Sequence, residues 1–496
     1  MMVPTLFTGS GVFMRCGKLF VVIALLFASM MLLAPFANAS GFARLSELAE
    51  RGFLVSAEAR LLDTGEVLGA IEPRRQLSPA SVSKAYLAAA ALDRFGPQHR
   101  FTTRLVSDAE LDANGVLQGD LVFDGGGDPS LTSEDLWRLA QRLHQAGVRE
   151  VEGRLVISQW RFGPVECITT DRCQAHSRVA NAYSALLTSA GVNHGSWCVS
   201  VAPAATPGEP ARLTSCDSQA PIVGLDNRVD TRPANGGTEL YAERVLDNTG
   251  DVMVVSGHIA LGSAPRSIYR ASSDPAAQTA STLAAMLGQA GIGIAQGTTT
   301  SIAEPAATAR SLAEVEGLPM QEVLLRVMNY SNNFMADVLT MTLVDQPRGN
   351  LVQGGQAIEH FVAGIPDHGP LELRSGSGLT PENRTSAHGI NTLLSSMYHR
   401  TALFPSFVAS FQSPDNGVMR FIRRGPPIFQ THVMLKTGTL NQPVAVRSLG
   451  GYFRTVNGRW GVFSVLVNGT SNTPWLNWAQ VLDPLAEDIE RMINTH

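Results

Sequence analysis

Lysine is nearly missing from this chain: among 496 residues it occurs only at positions 18, 84 and 436. Basic residues of both kinds are outnumbered, 38 Lys and Arg against 43 Asp and Glu, for a net charge of −5. That balance excludes a nucleic-acid surface, which needs a basic excess. No C-x-x-C pair occurs, which argues against a zinc site built from the cysteines. The 11 histidines form no H-E-x-x-H motif and read as structural or surface residues. No G-x-S-x-G elbow occurs either, which weighs against a Ser-His-Asp hydrolase. There is no internal repeat, coiled coil or low-complexity tract. Beyond residue 33, no apolar run is long enough to cross a bilayer.

The one long apolar run is Leu19 to Leu33, which contains no charge. Arg15 and Lys18 precede it, and Ala37-Asn38-Ala39 follows as a small-residue cleavage site. The pattern reads as a secretory signal over residues 1–39, with Ser40 as the mature start and Met14 as an alternative initiation point. The run is short of the ~20 residues a membrane span needs, so no transmembrane anchor is expected after cleavage. Four of the five cysteines, Cys167, Cys173, Cys198 and Cys216, remain in the mature chain within one short window. In an exported protein they read as two disulfides. Three connectivities exist, and proximity alone favours Cys167–Cys173 with Cys198–Cys216.

A chain of this length calls for two or three domains. Phe53 to Leu62 and Glu66 to Ile71 flank the turn Asp63-Thr64-Gly65 as a hairpin. Ser81 to Leu92 has helical composition, ending near Gly96-Pro97. From 98 to 267 the texture is short strands and Gly, Pro and Ser turns, and all the mature cysteines lie there. This segment reads as a β-rich insertion of one or two lobes between a first core part, 40–97, and a second, 268–496. Helical patterns follow at Asp274 to Ala290 and Pro319 to Leu343. Ser448 to Thr455 and Arg459 to Asn468 form a hairpin around Val456-Asn457-Gly458. The last amphipathic helix, about Trp475 to Ile493, is expected to pack on the core rather than on a membrane.

Ser81-Val82-Ser83-Lys84 is the first chemical motif. Serine is a poor nucleophile without a neighbouring base, and at i and i+3 of a helix Ser81 and Lys84 share a face. By itself S-x-x-K is a common chance match. The lysine count changes its weight, because arginine serves wherever a plain charge suffices and is always protonated, whereas a lysine amine can be tuned to act as a base. The second retained lysine opens Lys436-Thr437-Gly438-Thr439, which continues the apolar Val433-Met434-Leu435 as a strand. Gly438 leaves room for a substrate backbone, an extended peptide could pair with the strand edge, and Lys436 could hold a substrate carboxylate. The charge of Lys436 is also expected to favour the neutral amine at Lys84. The N–H groups of Ser81 and Thr439 would form an oxyanion hole. Between these motifs, Ser331 and Asn333 read as S-x-N, with Ser331 relaying a proton to a leaving amine and Asn333 holding a substrate amide. Tyr330-Ser331-Asn332 also spells Y-x-N, and polar helix capping would explain the same residues.

With these three motifs in order, the chain resembles the D-alanyl-D-alanine carboxypeptidase/endopeptidases among the low-molecular-weight penicillin-binding proteins. Further matches are Gly119-Asp120-Leu121-Val122, Gly127-Asp128-Pro129-Ser130-Leu131, Asp274-Pro275-Ala276, Ser331 through Asp337, and Gly376-Ser377-Gly378-Leu379. The family has Asp where this chain has Ser375. The resemblance implies an α/β fold: a β-lactamase/transpeptidase-like core, an antiparallel sheet with helices, split by a large insertion. It also implies a covalent acyl-enzyme on Ser81, no metal or cofactor, a periplasmic location, peptidoglycan peptides as substrates and β-lactam antibiotics as covalent inhibitors. Two rivals remain. A class C-like β-lactamase is disfavoured by the long stretch between Lys84 and Ser331, and a catalytically inactive peptidoglycan-binding protein by the retention of Ser81 and both lysines.

Overall fold

The computed structural model describes residues 40–169, 172–173, 181–216, 224–248 and 250–496. The expected signal, residues 1–39, lies outside the described residues. Among the described residues no helix is long and apolar enough to cross a membrane.

The core is a five-stranded antiparallel sheet made from the two ends of the chain. β1 (Leu54–Leu61) and β2 (Val67–Ile71) form the expected N-terminal hairpin, and β3 (Val433–Leu440), β4 (Val446–Arg454) and β5 (Trp460–Asn468) come from the C-terminal part. The order is β3-β4-β5-β1-β2, so β1 joins the two halves by pairing with β5, and β3 lies at an edge. Side chains alternate between the faces. Val55, Ala57, Ala59 and Leu61 of β1 meet Phe463, Val465 and Val467 and the terminal helix Ala479–Thr495 on one side. That helix starts later than its sequence pattern suggested, and its stripe of Val481, Leu482, Leu485 and Ile489 is buried against the sheet, as core packing requires.

The opposite face carries a cluster of helices around α1 (Ser83–Phe95). Ten consecutive residues of α1, Ser83 to Leu92, are buried. A helix enclosed on all sides has to be apolar or tightly paired on all sides, and its four consecutive alanines, Ala88 to Ala91, let neighbours approach closely. α2 (Met320–Asn329), α3 (Asn333–Thr342) and the helix Ala387–Tyr398 surround it. The helical pattern expected as one stretch from 319 to 343 is thus two helices with a break at 330–332.

The inserted segment is larger than its strand texture suggested. Strand Thr102–Ser107 pairs antiparallel with Arg310–Glu316, closing the insertion at its own ends. These two belong to a five-stranded sheet with Leu121–Asp124, Leu155–Ser158 and Thr298–Ser301. Helices Ser133–Gln145 and Pro275–Gln289 pack against it, sharing one apolar cluster. The boundary expected at 267 falls inside the strand Arg266–Ala271, and the helix Pro275–Gln289 and the strands Thr298–Ser301 and Arg310–Glu316 pack with the insertion rather than with the second core part. The helix start was read correctly, since Asp274 caps it by accepting from the N–H groups of Ala276 and Ala277 at 3.0 Å, but a helical pattern does not reveal which sheet a helix covers. A second lobe has its own small core, formed by Trp197, Val199, Val229, Met253 and Val255 from two three-stranded sheets. The disulfides are Cys167–Cys173 and Cys198–Cys216.

Candidate active site

The chain approaches Ser81 through a constrained turn. Ala80 has φ +45°, a conformation that L-residues rarely adopt. A short 3-10 turn, Ala80–Val82, then runs into α1. Ser81 is therefore in the first turn, where N–H groups have no intrahelical partner. Lys84, one turn on, is fully buried, and its Nζ lies 2.9 Å from Ser81 Oγ. The same amine contacts Asn333 Oδ1 at 2.7 Å and the Ser377 carbonyl at 2.6 Å. Asn333 Nδ2 donates to the Tyr183 carbonyl at 3.0 Å, which fixes the amide with its oxygen toward Lys84.

These three contacts decide what a neutral Lys84 does. An ammonium donates to all three oxygens, whereas a neutral amine has two hydrogens and one lone pair. The Asn333 and Ser377 oxygens can only accept. The lone pair is left for Ser81, whose hydroxyl is the sole partner able to donate. The Lys84 amine is pushed down to about 7, chiefly by burial; the Asp337 carboxylate pulls it up and the Arg172 guanidinium pushes it down. Burial, rather than the charge of Lys436 expected from the sequence, is the main cause.

Asp337 and Arg172 form a buried ion pair at 2.9 Å. Asp337 Oδ1 accepts from the Ser377 N–H at 2.9 Å, and Arg172 Nε donates to the Ala185 carbonyl at 3.1 Å. A path of contacts therefore runs from the Cys167–Cys173 loop through Arg172, Asp337 and Ser377 to Lys84. Sequence reasoning quoted Asp337 without giving it a part and did not find Arg172, whose only signal is its place beside Cys173.

Ser331 sits in the break between α2 and α3, at φ +52°. Asn332 caps α3 by accepting from the Met335 N–H at 2.9 Å. Lys436 Nζ donates to Ser331 Oγ at 2.9 Å and to the Thr437 carbonyl at 2.7 Å. The residues facing the two lysines are thus Ser331 and Asn333, the S-x-N register, while Tyr330 is 63% exposed and Asn332 is used as a cap. Lys436 is also buried, and its amine is held well below its ordinary value by burial and by the neighbouring Lys84.

On the sheet edge β3, Leu435 exchanges both backbone bonds with Gln412. Alternation in an antiparallel pair turns the backbone groups of residues 435, 437 and 439 outward and those of 436 and 438 toward β4. The Thr439 N–H therefore lies on the open edge. A Cβ on Gly438 would come within 2.9 Å of the Ser81 nitrogen and 2.5 Å of the Pro79 carbonyl, so only glycine allows this approach. Gly378, at φ +73°, is constrained likewise, because a Cβ there would run into the Ala80 carbonyl. Ser375, in place of the expected Asp, accepts from the Gly378 N–H at 3.1 Å and contacts Ser377 Oγ at 3.1 Å, so the short hydroxyl holds this turn. Among the described residues, no group of three or more His, Cys, Asp or Glu is placed to hold a metal ion.

A family model for D-Ala-D-Ala carboxypeptidase 3 (S13) matches residues 44–488. The chain belongs to this family. It is 30% identical over 423 residues, 82% of this chain and 76% of the relative, to the D-alanyl-D-alanine carboxypeptidase of Actinomadura sp. strain R39. In fold it is similar to penicillin binding protein 4 (dacB) from Haemophilus influenzae, with TM-score 0.73 and 20% identity, covering 91% of this chain and 99% of that one. That protein has also been solved in complex with a β-lactam. The predatory peptidoglycan endopeptidase Bd3459 from Bdellovibrio bacteriovorus is similar at TM-score 0.50 and 16% identity, over 89% of this chain and 93% of that one. The β-lactamase/transpeptidase-like core read from the sequence is the fold of these solved neighbours.

Proposed function

We propose that this S13 member hydrolyses D-Ala-D-Ala ends and D-Ala cross-links of peptidoglycan peptides through an ester on Ser81. The observation that carries the reading is the set of contacts around Lys84, in which a neutral amine has one partner able to give it a proton, Ser81. Lys84 takes that proton as Ser81 Oγ attacks the carbonyl of the penultimate D-Ala. The oxyanion is held by the N–H groups of Ser81 and Thr439. Asn333 holds the substrate amide, and Ser331 passes a proton to the leaving amine, drawing on the amine of Lys436 beside it. The amine of Lys436 is held well below its ordinary value by burial and by Lys84, and an arriving substrate carboxylate favours its charged form, since an opposite charge stabilises the ammonium. Thr437, Gly438 and Thr439 present the strand edge along which the peptide lies. When water opens the ester, its proton passes through Ser331 to Lys436, replacing the one given to the amine, and Lys84 returns its proton to Ser81 Oγ.

The setting is the periplasm, after export by residues 1–39, and β-lactams are covalent inhibitors because they present the same carbonyl and carboxylate. The β-lactamase reading is weaker, because the Y-x-N register is not the one facing the lysines. An inactive binding protein is weaker still, because it has no use for a depressed, buried lysine amine. The test is release of D-Ala from a pentapeptide and cleavage of a cross-linked dimer by wild type and Ser81→Ala. Both activities should be present in wild type and absent from the folded variant; activity retained in Ser81→Ala contradicts the mechanism.

A further inference from the structure

Beside Ser331 lies a cavity of about 870 Å³ between the inserted segment and α2. Ser331 and Asn333 are part of its wall, so it opens directly onto the groups that face the two lysines. The rest of the wall comes from both parts of the chain: Tyr183, His194 and Tyr269 from the insertion, Arg326 and Tyr330 from the core. Its volume is at the upper end of what a drug-sized ligand occupies, far more than a single departing D-alanine needs.

The chemistry of the wall is one-sided. Among the described residues, Arg326 is its single charged residue, and no Asp or Glu lines it. Arg326 is exposed and pairs with no described carboxylate. The three tyrosines are exposed, offering aromatic faces with polar tips. His194 Nε2 is buried and has no hydrogen-bond partner among the described residues. The backbone strains to put the ring there, since Asn193 and His194 are both left-handed, at φ +51° and +58°. Strain of this kind is kept where the surrounding structure holds it in place, commonly at ligand sites. Burial and the nearby Arg326 keep this imidazole uncharged, with its pKa down to about 4.

Resting on the proposed function, we infer that this cavity is the leaving-side subsite for cross-linked substrates, holding the carboxylate-bearing peptide whose amine departs when Ser81 is acylated. Ser331, the residue placed to protonate that amine, is the doorway. Arg326 binds a carboxylate of the departing peptide, the tyrosines cover its stem, and His194 Nε2 bonds one of its polar groups. The insertion thereby completes a site for a leaving group larger than D-alanine. A substrate losing a single D-alanine does not reach Arg326.

The experiment compares wild type, Arg326→Glu and Tyr269→Ser in three reactions: penicillin acylation of Ser81, D-Ala release from a monomeric pentapeptide, and cleavage of a purified cross-linked dimer. Both residues are exposed, so the fold should stand, and acylation reports directly that it does. The expected result is a loss of roughly tenfold or more in kcat/KM for the dimer with Arg326→Glu, the scale of one lost hydrogen bond to a charged group, and a smaller loss with Tyr269→Ser. Acylation and D-Ala release should stay near wild type. A dimer amidated at its leaving-side carboxylates should be cleaved equally by wild type and Arg326→Glu. Equal losses in all three reactions, or an unchanged dimer rate, overturn the inference, as does a wild type that releases D-Ala but cannot cut the dimer. A wild type that is not acylated and does neither contradicts the proposed function itself.

Discussion

Replacing Arg172 with methionine should move the pH profile of Ser81 acylation upward. Arg172 touches neither Ser81 nor Lys84; it pairs with Asp337 at 2.9 Å in a buried setting. With Lys84 pushed down to about 7, the amine is about half neutral at pH 7. Asp337 favours the charged amine and Arg172 opposes it, so Arg172→Met leaves the carboxylate unopposed and Lys84 must become more basic. A rise of one unit, about 1.4 kcal/mol of differential interaction, lowers the neutral fraction at pH 7 from about one half to about one tenth. Acylation at pH 7 should therefore fall roughly fivefold for a rise of one unit, with the lost rate recovered as pH rises through the new value. Breaking one side of a buried pair also costs about 3–5 kcal/mol of stability, so thermal unfolding is measured alongside. In Arg172→Met/Asp337→Asn both charges are gone, and the profile should return toward wild type. Opening the neighbouring bridge with Cys167→Ser/Cys173→Ser should shift the profile in the same direction, because that loop carries Arg172; Cys198→Ser/Cys216→Ser should cost stability alone, about 2–4 kcal/mol. The assay is the second-order rate of penicillin acylation from pH 5 to 10. A folded Arg172→Met protein with an unchanged profile refutes the reasoning, since it would mean that Asp337 takes up a proton rather than acting on Lys84.

Gly438→Ala should slow acylation at least tenfold with modest destabilisation of about 1–3 kcal/mol, because the added methyl would press on the Ser81 nitrogen, the Pro79 carbonyl and Ser448; acylation kinetics with thermal unfolding check it, and a wild-type rate would mean that β3 can move away from the nucleophile at no cost. Lys84→Arg keeps a charge but removes the titratable amine, so acylation should nearly vanish, while Lys436→Arg keeps a cation for the carboxylate and should retain more; comparing the two rates across pH tests the division, which fails if Lys436→Arg is the more damaged.

Much of this molecule was legible in its sequence because the informative residues are rare or conformationally special. Two retained lysines in an arginine-rich chain pointed to Ser81 and Lys436 before any geometry, and the Asn-Gly turn and alternating strands marked β4 and β5. The S-x-N register depended on which residues face the lysines, and the break at 330–332, with Ser331 left-handed, settled that geometry in a way that linear spacing cannot. The extent of the insertion was hidden because its closing strand, Arg310–Glu316, pairs with a partner about two hundred residues earlier, and the helix Pro275–Gln289 looks the same from sequence whichever sheet it covers. Arg172 was invisible for a related reason: one arginine among many becomes significant only when the fold buries it against Asp337. The depression of Lys84 was anticipated, but its cause was not, since burial is a property of the folded helix α1 and not of the motif.

The proposed mechanism depends above all on the oxygen of Ser81. Wild-type protein treated with penicillin, digested and analysed by mass spectrometry should carry one adduct, on the peptide containing Ser81, and Ser81→Ala should carry none. An adduct on another residue, or active protein with no adduct at all, would contradict it.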